Sequence, residues 1–271
     1  LRLTGSDFER LSQHISRAVS LLRRLNVKSV LKTDTDFLGL FYEAFLRYGY
    51  DNNALGIVFT PRHITRFCVE LADVKANDRV IDIASGTGGF LVSAFDKMMS
   101  AADGARAIEW IKNSMHGFDT NPTIWALATL NMYFRGDGKS HIENASCFDE
   151  IHTVKGKFNK AFLNPPFSQE GEPERDFIDT SLEALEPGGI STTVVLAGIF
   201  ADDEHKLWRK ELSRKHTVLG VISLPEDLFY PTAAPTSILI VKAHIPQKPQ
   251  DKILMALSLI HISEPTRQAE I

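Results

Sequence analysis

The segment Asn164-Pro165-Pro166-Phe167 follows an apolar run and carries groups that suit a planar amine. The exocyclic amine of a nucleobase is a poor nucleophile, because its lone pair is delocalised into the ring. The side-chain oxygen of Asn164 and the carbonyl of Pro165 can each accept one N–H of such an amine, while the prolines hold the backbone rigid. Phe167 offers a ring on which the base can stack. The pattern predicts a pocket for a base, and the alternative is a Pro-rich strand exit with a core phenylalanine.

A second candidate site lies upstream, where "VIDIASGTGGFL" covers residues 80–91. Asp82 ends an apolar strand, and Gly86, Gly88 and Gly89 then permit a tight turn and close approach of a ligand to the backbone. The helix that follows offers free N–H groups at its start. A carboxylate before the glycines would repel a dinucleotide pyrophosphate but attract an ammonium or sulfonium cation. The loop therefore favours S-adenosylmethionine (AdoMet) over NAD, and a plain strand–turn–helix corner is the alternative.

Two further acids follow apolar segments. Asp119, in "HGFDTNP", can accept both ribose hydroxyls of a bound nucleoside, although an acid at such a position is as often a helix N-cap. Asp149, in "SCFDE", can accept from an adenine amino group, and a simple turn-forming role stays equally open.

Regular alternation of strands and helices from residue 78 predicts the scaffold that positions these groups. We expect a mostly parallel, doubly wound α/β sheet of seven strands, covered on both faces. The last connection is too short and Pro-rich for a crossover helix, so the last two strands are expected to form an antiparallel edge. The strands are predicted at 79–83, 115–119, 142–148, 160–164, 190–197, 218–224 and 237–242, and the helices at 88–99, 122–134, 174–186 and 203–215, with another from Pro61.

The two ends of the chain differ from this pattern. Residues 1–55 carry apolar positions at helical spacing and predict an N-terminal helical segment, with the catalytic domain expected over 56–256. The stretch "LSLIHISEPTR" within 257–271 is similar to a translated sequencing adapter, so an exposed or disordered tail is expected there, the alternative being a natural polar tail. The first residue is Leu, which is typical of an N-terminally incomplete fragment.

The composition excludes several classes of protein. With 44% hydrophobic and 24% charged residues and a net charge of −4, the chain resembles an ordinary globular protein without a global basic signature. Cys68 and Cys147 lie far apart, which favours a reducing cytoplasm over a disulfide framework. No histidine spacing indicates a metal site, and no apolar run approaches the ~20 residues of a membrane span. No Pro-Cys pair offers a nucleophile for cytosine-C5 methylation.

Four ordered stretches together resemble the N6-adenine DNA methylase family, and more specifically the modification subunit of type I restriction–modification systems. They are "GIVFTPRHITRFCVEL", "DIASGTGGFL", "NPTIWALATLNMYFRGDG" and "LPEDLFYPTAAPTSILIV", and the resemblance covers about residues 34–243. The chain departs from the family pattern at Ile83, where Pro is usual, at Ser85, where Ala or Cys is usual, and in "LAGIF" after the fifth strand.

The resemblance implies a class I, Rossmann-like AdoMet methyltransferase acting on adenine N6 in double-stranded DNA. Its implied partners are a DNA specificity subunit, a restriction (nuclease) subunit and a second copy of itself. The alternatives are methylation of protein glutamine or RNA guanine, or a degenerate non-catalytic DNA- or partner-binding module. The implied catalytic residues are Asn164, Pro165, Pro166 and Phe167, and the implied cofactor-binding residues are Phe59, Thr60, Pro61, Arg62, Asp82, Ala84, Ser85, Gly86, Gly88, Gly89, Phe90, Asp119 and Asp149.

Overall fold

The computed structural model describes Arg17 and residues 60–138, 141–166, 173–225, 228–229 and 235–257. The chain divides into two units, Leu1–Ala54 and Leu55–Ile271, and every described residue except Arg17 belongs to the second. The predicted N-terminal helical segment and most of the predicted tail therefore lie outside the described residues.

The described residues form a mixed α/β structure around one sheet. The strands are β1 (Val80–Asp82), β2 (Met115–Phe118), β3 (His141–Glu143), β4 (Phe158–Leu163), β5 (Leu185–Leu196), β6 (Thr217–Ser223), β7 (Thr236–Lys242) and β8 (Leu254–Leu257). The helices are α1 (Arg62–Leu71), α2 (Gly89–Ser100), α3 (Gly104–Lys112), α4 (Pro122–Phe134), α5 (Cys147–Val154), α6 (Glu174–Glu183), α7 (Gly198–Ala201) and α8 (Lys206–Lys215), with a 3₁₀ turn at Asp203–His205.

The strand order is β3-β2-β1-β4-β5-β7-β6-β8, which confirms the predicted doubly wound topology. The pairs from β3 through β5 are all parallel, whereas β7 runs antiparallel to both of its neighbours, β5 and β6. The strand order reverses between β1 and β4, and in open parallel sheets ligands bind at the carboxyl edge beside such a reversal.

Hydrophobic clusters cover both faces of the sheet, as the continuous apolar strands predict. Adjacent strand residues such as Val80 and Ile81 belong to opposite clusters, because successive side chains point to opposite faces. Helices α1 to α4 contribute buried side chains to one cluster, and α5 to α8 contribute to the other. The strands that end at the candidate site are thus held between two cores.

The third predicted strand, 142–148, is wrong in its second half. β3 ends at Glu143, and Cys147–Val154 forms helix α5. The side chain of Ser146 caps this helix by accepting a hydrogen bond from the backbone N–H of Phe148, and acidic residues occupy the first turn, where they favour the helix dipole.

The predicted count of seven strands is also wrong, because β8 adds an eighth. It pairs in parallel with β6 at the sheet edge, and the predicted domain boundary between residues 256 and 257 falls inside it. Leu257 is 76% exposed, so it is not part of the core. Within the described part of the chain, every helix is too short or too polar to cross a bilayer.

Candidate active site

The candidate site lies at the carboxyl edge of β1, β2 and β4, where three predicted segments meet. Asp82 is the last residue of β1, Asp119 follows β2 and Asn164 follows β4. β1 pairs with β2 on one side and with β4 on the other, so the neighbourhood predicted for these groups is confirmed.

The glycine loop makes a tight turn between β1 and α2. Gly86 and Gly88 have φ values of +53° and +83°, in the left-handed region that favours glycine. The N–H of Gly88 donates to the carbonyl of Ser85 at 2.8 Å, and Gly88 is the N-cap residue of α2. The N–H groups of the first turn of this helix therefore lie at the carboxyl edge, where they can bind an acceptor.

Asp119 joins the glycine loop to the end of β2. One of its carboxylate oxygens accepts from the N–H of Gly86 at 3.0 Å, and the other accepts from the N–H of Asn121 at 2.8 Å. Burial raises the pKa of the Asp119 carboxyl above its usual range, while these two hydrogen bonds act in the opposite direction. Each oxygen retains a lone pair, so the side chain can still accept hydroxyl groups of a ligand.

Asp82 is almost completely buried, with 1% of its surface exposed. One of its carboxylate oxygens accepts from the N–H of Ala84 at 3.1 Å. This hydrogen bond joins the end of β1 to the start of the glycine loop. Burial raises the pKa of Asp82 to about 8, and the negative charge of Asp119 adds to this effect. A buried acid of this kind ionises readily only when a cation approaches it.

Three supports of the glycine loop were missed by the sequence analysis. Gly117, in β2, leaves no room for a side chain, because a Cβ there would lie 2.9 Å from Leu91 and 3.2 Å from Ser85. Asn131 donates from its side chain to the carbonyl of Thr87 at 3.1 Å. Asn144 likewise donates to the carbonyl of Asp119 at 2.8 Å.

Ser85, which the sequence analysis named among the implied cofactor-binding residues, also supports the loop, and it stands where the resembling family usually has Ala or Cys. Its N–H donates to the carbonyl of Phe118 at 2.8 Å, and its hydroxyl donates to the same carbonyl at 3.1 Å. The serine therefore adds a side-chain hydrogen bond between the glycine loop and β2 that an alanine could not make.

Asn164 holds a buried acceptor that is unused. Its Nδ2 donates to the hydroxyl of Thr60 at 2.8 Å, whereas its Oδ1 is buried and has no hydrogen-bond partner among the described residues. Next along the chain, Pro165 is buried and Pro166 is half-buried. Phe167 lies outside the described residues. A buried polar atom without a partner is costly, and a ligand that donates a hydrogen bond to it is one way to satisfy it.

The other predicted cofactor residues have different surroundings. Phe90 is buried and stacks on Phe162 of β4, with ring centroids 5.5 Å apart, so it is part of the core. Asp149 is exposed in the first turn of α5 and does not stand at the end of β3. Pro61 is the N-cap residue of α1, which Arg62 begins, and Phe59 lies outside the described residues.

Glu174 is a further acid at this edge that the sequence analysis did not select. Its carboxylate accepts from the N–H of Leu196 at 2.8 Å, at the end of β5, the strand that pairs with β4. Burial raises the pKa of Glu174 to about 7. The signal available in the sequence was an acid directly after Pro173, at the start of a helix. This helix follows the asparagine loop, the segment Asn164-Pro165-Pro166-Phe167, along the chain.

Comparison with known proteins shows which family and which relatives this chain is similar to. The model of the N-6 DNA Methylase family matches residues 33–180 and 172–263. The chain is 36% identical over 247 residues to the Type II restriction enzyme and methyltransferase RM.BcgI of Heyndrickxia coagulans, covering 87% of this chain and 39% of that protein. It is 26% identical over 249 residues to the Type I restriction enzyme MjaIX methylase subunit of Methanocaldococcus jannaschii, covering 81% of this chain and 43% of that one.

A solved structure of a type I restriction–modification system contains a chain of the same fold. The two share a TM-score of 0.70 and 25% identity, over 81% of this chain and 49% of the other. This chain therefore spans less than half the length of each of these three proteins.

Proposed function

The chain belongs to the N-6 DNA methylase family, and from that premise we propose that it transfers a methyl group from AdoMet to N6 of adenine in double-stranded DNA. The observation that carries the proposal is the buried Oδ1 of Asn164, which has no partner among the described residues. An adenine amine donates N–H groups and accepts poorly, so it is a fitting partner for this oxygen and for the Pro165 carbonyl.

The carboxyl-edge residues fit AdoMet. Asp119 has one free lone pair on each carboxylate oxygen, which suits two ribose hydroxyls. The left-handed Gly86 and Gly88 bring the backbone to the edge without side chains in the way. Asp82 provides a buried acid that a cationic ligand would ionise. AdoMet, when bound, supplies the methyl group on a positively charged sulfur.

The asparagine loop would act by holding the amine rather than by removing a proton from it. Two rigid acceptors, Asn164 Oδ1 and the Pro165 carbonyl, would bind the two N–H groups and direct the nitrogen lone pair away from the ring plane. Preorganised groups of this kind contribute because they need no rearrangement during the reaction. Since a base in a duplex is stacked, the adenine would have to be flipped out, and Phe167 would then offer a stacking face.

The remaining predicted roles are part of the same proposal. Asp149 is exposed near the start of α5, from where it would contact the adenine of the cofactor. Phe59 and Arg62 would complete the cofactor site at the start of α1. These assignments rest on the family motif, whereas those of Asp119 and Asn164 rest on hydrogen bonds as well.

We further propose that the activity belongs to a restriction–modification system. One relative is named as a type I methylase subunit, which favours separate DNA specificity and nuclease subunits and a second copy of the chain as partners. The 36% identical relative is named as a restriction enzyme and methyltransferase together, which favours a nuclease in the same polypeptide. The neighbouring reading frames distinguish the two: adjacent specificity and nuclease genes would support the first arrangement.

The test is transfer of a tritiated methyl group to unmethylated duplex DNA by the complete protein with its partner subunits. We expect label in N6-methyladenine, and a loss of about 10²–10³-fold in rate for Asn164→Ala at saturating AdoMet and DNA. Thr153→Val, which changes an exposed hydroxyl in the last turn of α5, is the control and should behave as the unaltered protein.

Three results would contradict the proposal. Label on RNA or on protein glutamine would assign the chain to a methyltransferase of another planar amine. Near-normal transfer by Asn164→Ala would show that the asparagine loop is only a strand exit. AdoMet binding without any transfer, in the presence of all subunits, would favour a non-catalytic module.

A further inference from the structure

Thr60 and Asn164 are in contact although they lie 104 positions apart in the chain. The hydroxyl of Thr60 is 2.8 Å from Nδ2 of Asn164, and this nitrogen is the donor in the hydrogen bond. The other end of the same amide, Oδ1, is buried with no partner in the described part of the chain. The amide thus has a satisfied donor and an acceptor that is available to a ligand.

The orientation of this amide matters for binding an amine. An asparagine amide has nearly the same shape when it is rotated by 180°, but the oxygen and the nitrogen then exchange places. With Oδ1 toward the target, the amide accepts from the amine. With Nδ2 toward the target, two donors face each other and no hydrogen bond forms. Only the first orientation is productive.

The hydroxyl of Thr60 makes the productive orientation the satisfied one. A threonine hydroxyl can donate or accept, so it can pair with either end of the amide. The target amine can only donate, so all three groups are satisfied together only when Nδ2 donates to Thr60 and Oδ1 accepts from the amine. Without the hydroxyl, the productive orientation would deprive this part-buried N–H of Nδ2 of its acceptor, which is costly.

The helix start that carries Thr60 is also held in place independently of any substrate. Thr60 precedes Pro61, the N-cap residue of α1. Helix α1 is tied to α2 by the buried 2.6 Å hydrogen bond between the hydroxyls of Thr65 and Ser93. A Cβ on Gly89 would lie only 3.5 Å from the methyl group of Thr65, so the two helices are in close contact at the glycine loop.

From this geometry we propose that Thr60 is a positioning residue for Asn164, which gives the amide its acceptor in the orientation that binds the target amine. The inference rests on the function proposed above. It differs from the family-based assignment of Thr60, which places this side chain in the cofactor site. The two roles predict different kinetics: loss of a positioning residue lowers kcat, whereas loss of a cofactor contact raises the Kd of AdoMet.

The experiment measures tritiated methyl transfer to unmethylated duplex DNA by the complete protein with its partner subunits, together with AdoMet affinity by calorimetry. Thr60→Val keeps the shape and removes the hydroxyl, and Thr60→Ser keeps the hydroxyl. We expect kcat to fall about tenfold or more in Thr60→Val, with the Kd of AdoMet changed by less than about threefold. Thr60→Ser should stay within about threefold of the unaltered protein. The control Thr153→Val should match the unaltered protein.

A double-mutant comparison separates positioning from general stability. If Thr60 acts through Asn164, Thr60→Val should lower kcat by less than about twofold when Asn164 is already Ala. A loss that is as large in the Asn164→Ala background as in the unaltered protein would overturn the proposal. So would equal losses in Thr60→Val and Thr60→Ser, or a raised Kd of AdoMet with unchanged kcat.

Three further outcomes decide how a negative result is interpreted. If thermal unfolding shows that Thr60→Val does not fold, Thr60→Ala takes its place in every comparison, with the same expected and contrary results. If the unaltered protein transfers no methyl group to DNA, the proposed function fails and this inference fails with it. If the unaltered protein is active and Thr60→Val keeps its kcat, the inference alone fails.

Discussion

Raising the pH from 6 to 7 is expected to strengthen AdoMet binding, because Asp82 must lose a proton to meet a cationic ligand. The carboxyl group is 1% exposed, and burial together with the charge of Asp119 raises its pKa to about 8. Throughout this pH range the ligand-free protein therefore carries Asp82 mainly in its neutral form. A bound sulfonium or ammonium group favours the carboxylate, so binding is coupled to release of a proton.

The size of the effect follows from the distance of the pKa from the working pH. Below the pKa of the free protein and above that of the complex, each pH unit changes the binding free energy by ~1.4 kcal/mol, or about tenfold in Kd. We therefore expect the Kd to fall about tenfold between pH 6 and pH 7. The range stops at pH 7 because an α-amino group, with a pKa of ~7.7–8.0, begins to lose its own charge above that.

Calorimetry at pH 6, 6.5 and 7, in two buffers of different ionisation enthalpy, measures both the Kd and the number of protons released. The expected number is about one. Asp82→Asn keeps the size of the side chain and removes the titration, so it also separates Asp82 from Glu174, whose pKa is about 7. A change of less than twofold in Kd, or the same pH dependence in Asp82→Asn, would refute the reasoning.

The remaining predictions concern single residues. Asp119→Ala should raise the Kd of AdoMet about tenfold, since a hydrogen bond to a charged group is worth ~1.5–3 kcal/mol. An unchanged Kd in a folded variant would exclude the proposed contact of Asp119 with the ribose. Phe167→Ala should raise the KM for DNA about tenfold, because base–aromatic stacking is worth ~1–3 kcal/mol, while Phe167→Tyr should not. Gly117→Ala should lower the free energy of unfolding by ~1–3 kcal/mol, because the new methyl group would lie 2.9 Å from a leucine side chain. Gly138→Ala, whose nearest neighbour would be 3.9 Å away, is the control in urea unfolding. The free energy of unfolding of the ligand-free protein should decrease as the pH rises from about 4 to about 8, because the folded state keeps Asp82 protonated, and Asp82→Asn should flatten this slope.

The sequence predicted the inner part of the sheet well for a physical reason. Successive residues are buried in β1, over residues 161–163 of β4 and over residues 191–195 of β5, so these segments show no alternation of buried and exposed positions. β8 was missed although its four residues, LMAL, are all apolar, because the sequence analysis ended the domain at residue 256 and expected a tail from residue 257. α5 was missed because β3 is only three residues long, and the apolar pattern continued into the helix that Ser146 caps.

The site was predictable in its parts and less so in its contacts. Each strand-end group could be found because a polar residue after an apolar run marks a strand end. The pairing of Asn164 with Thr60 depends on how α1 packs, which no local pattern contains. The burial of Asp82 similarly depends on the two strands that flank β1, and its hydrogen bond with the N–H of Ala84 depends on the turn of the loop. The sequence therefore indicated which polar groups stand at the strand ends, and the structure defined their hydrogen-bond partners.

The reversed direction of β7 has a consequence for how such a protein can diversify. Because β7 runs against β5 and β6, the connection from Leu224 to Pro235 begins and ends at the same edge as Asn164. Backbone hydrogen bonds close both ends, from the N–H of Leu224 to Thr236 and from the N–H of Ala197 to Pro235. Insertions and deletions between these closures leave the strand register intact. Both ends of this connection are therefore fixed at the carboxyl edge, and a change in its length would alter only what lies between Leu224 and Pro235, at the edge where Asn164 also lies.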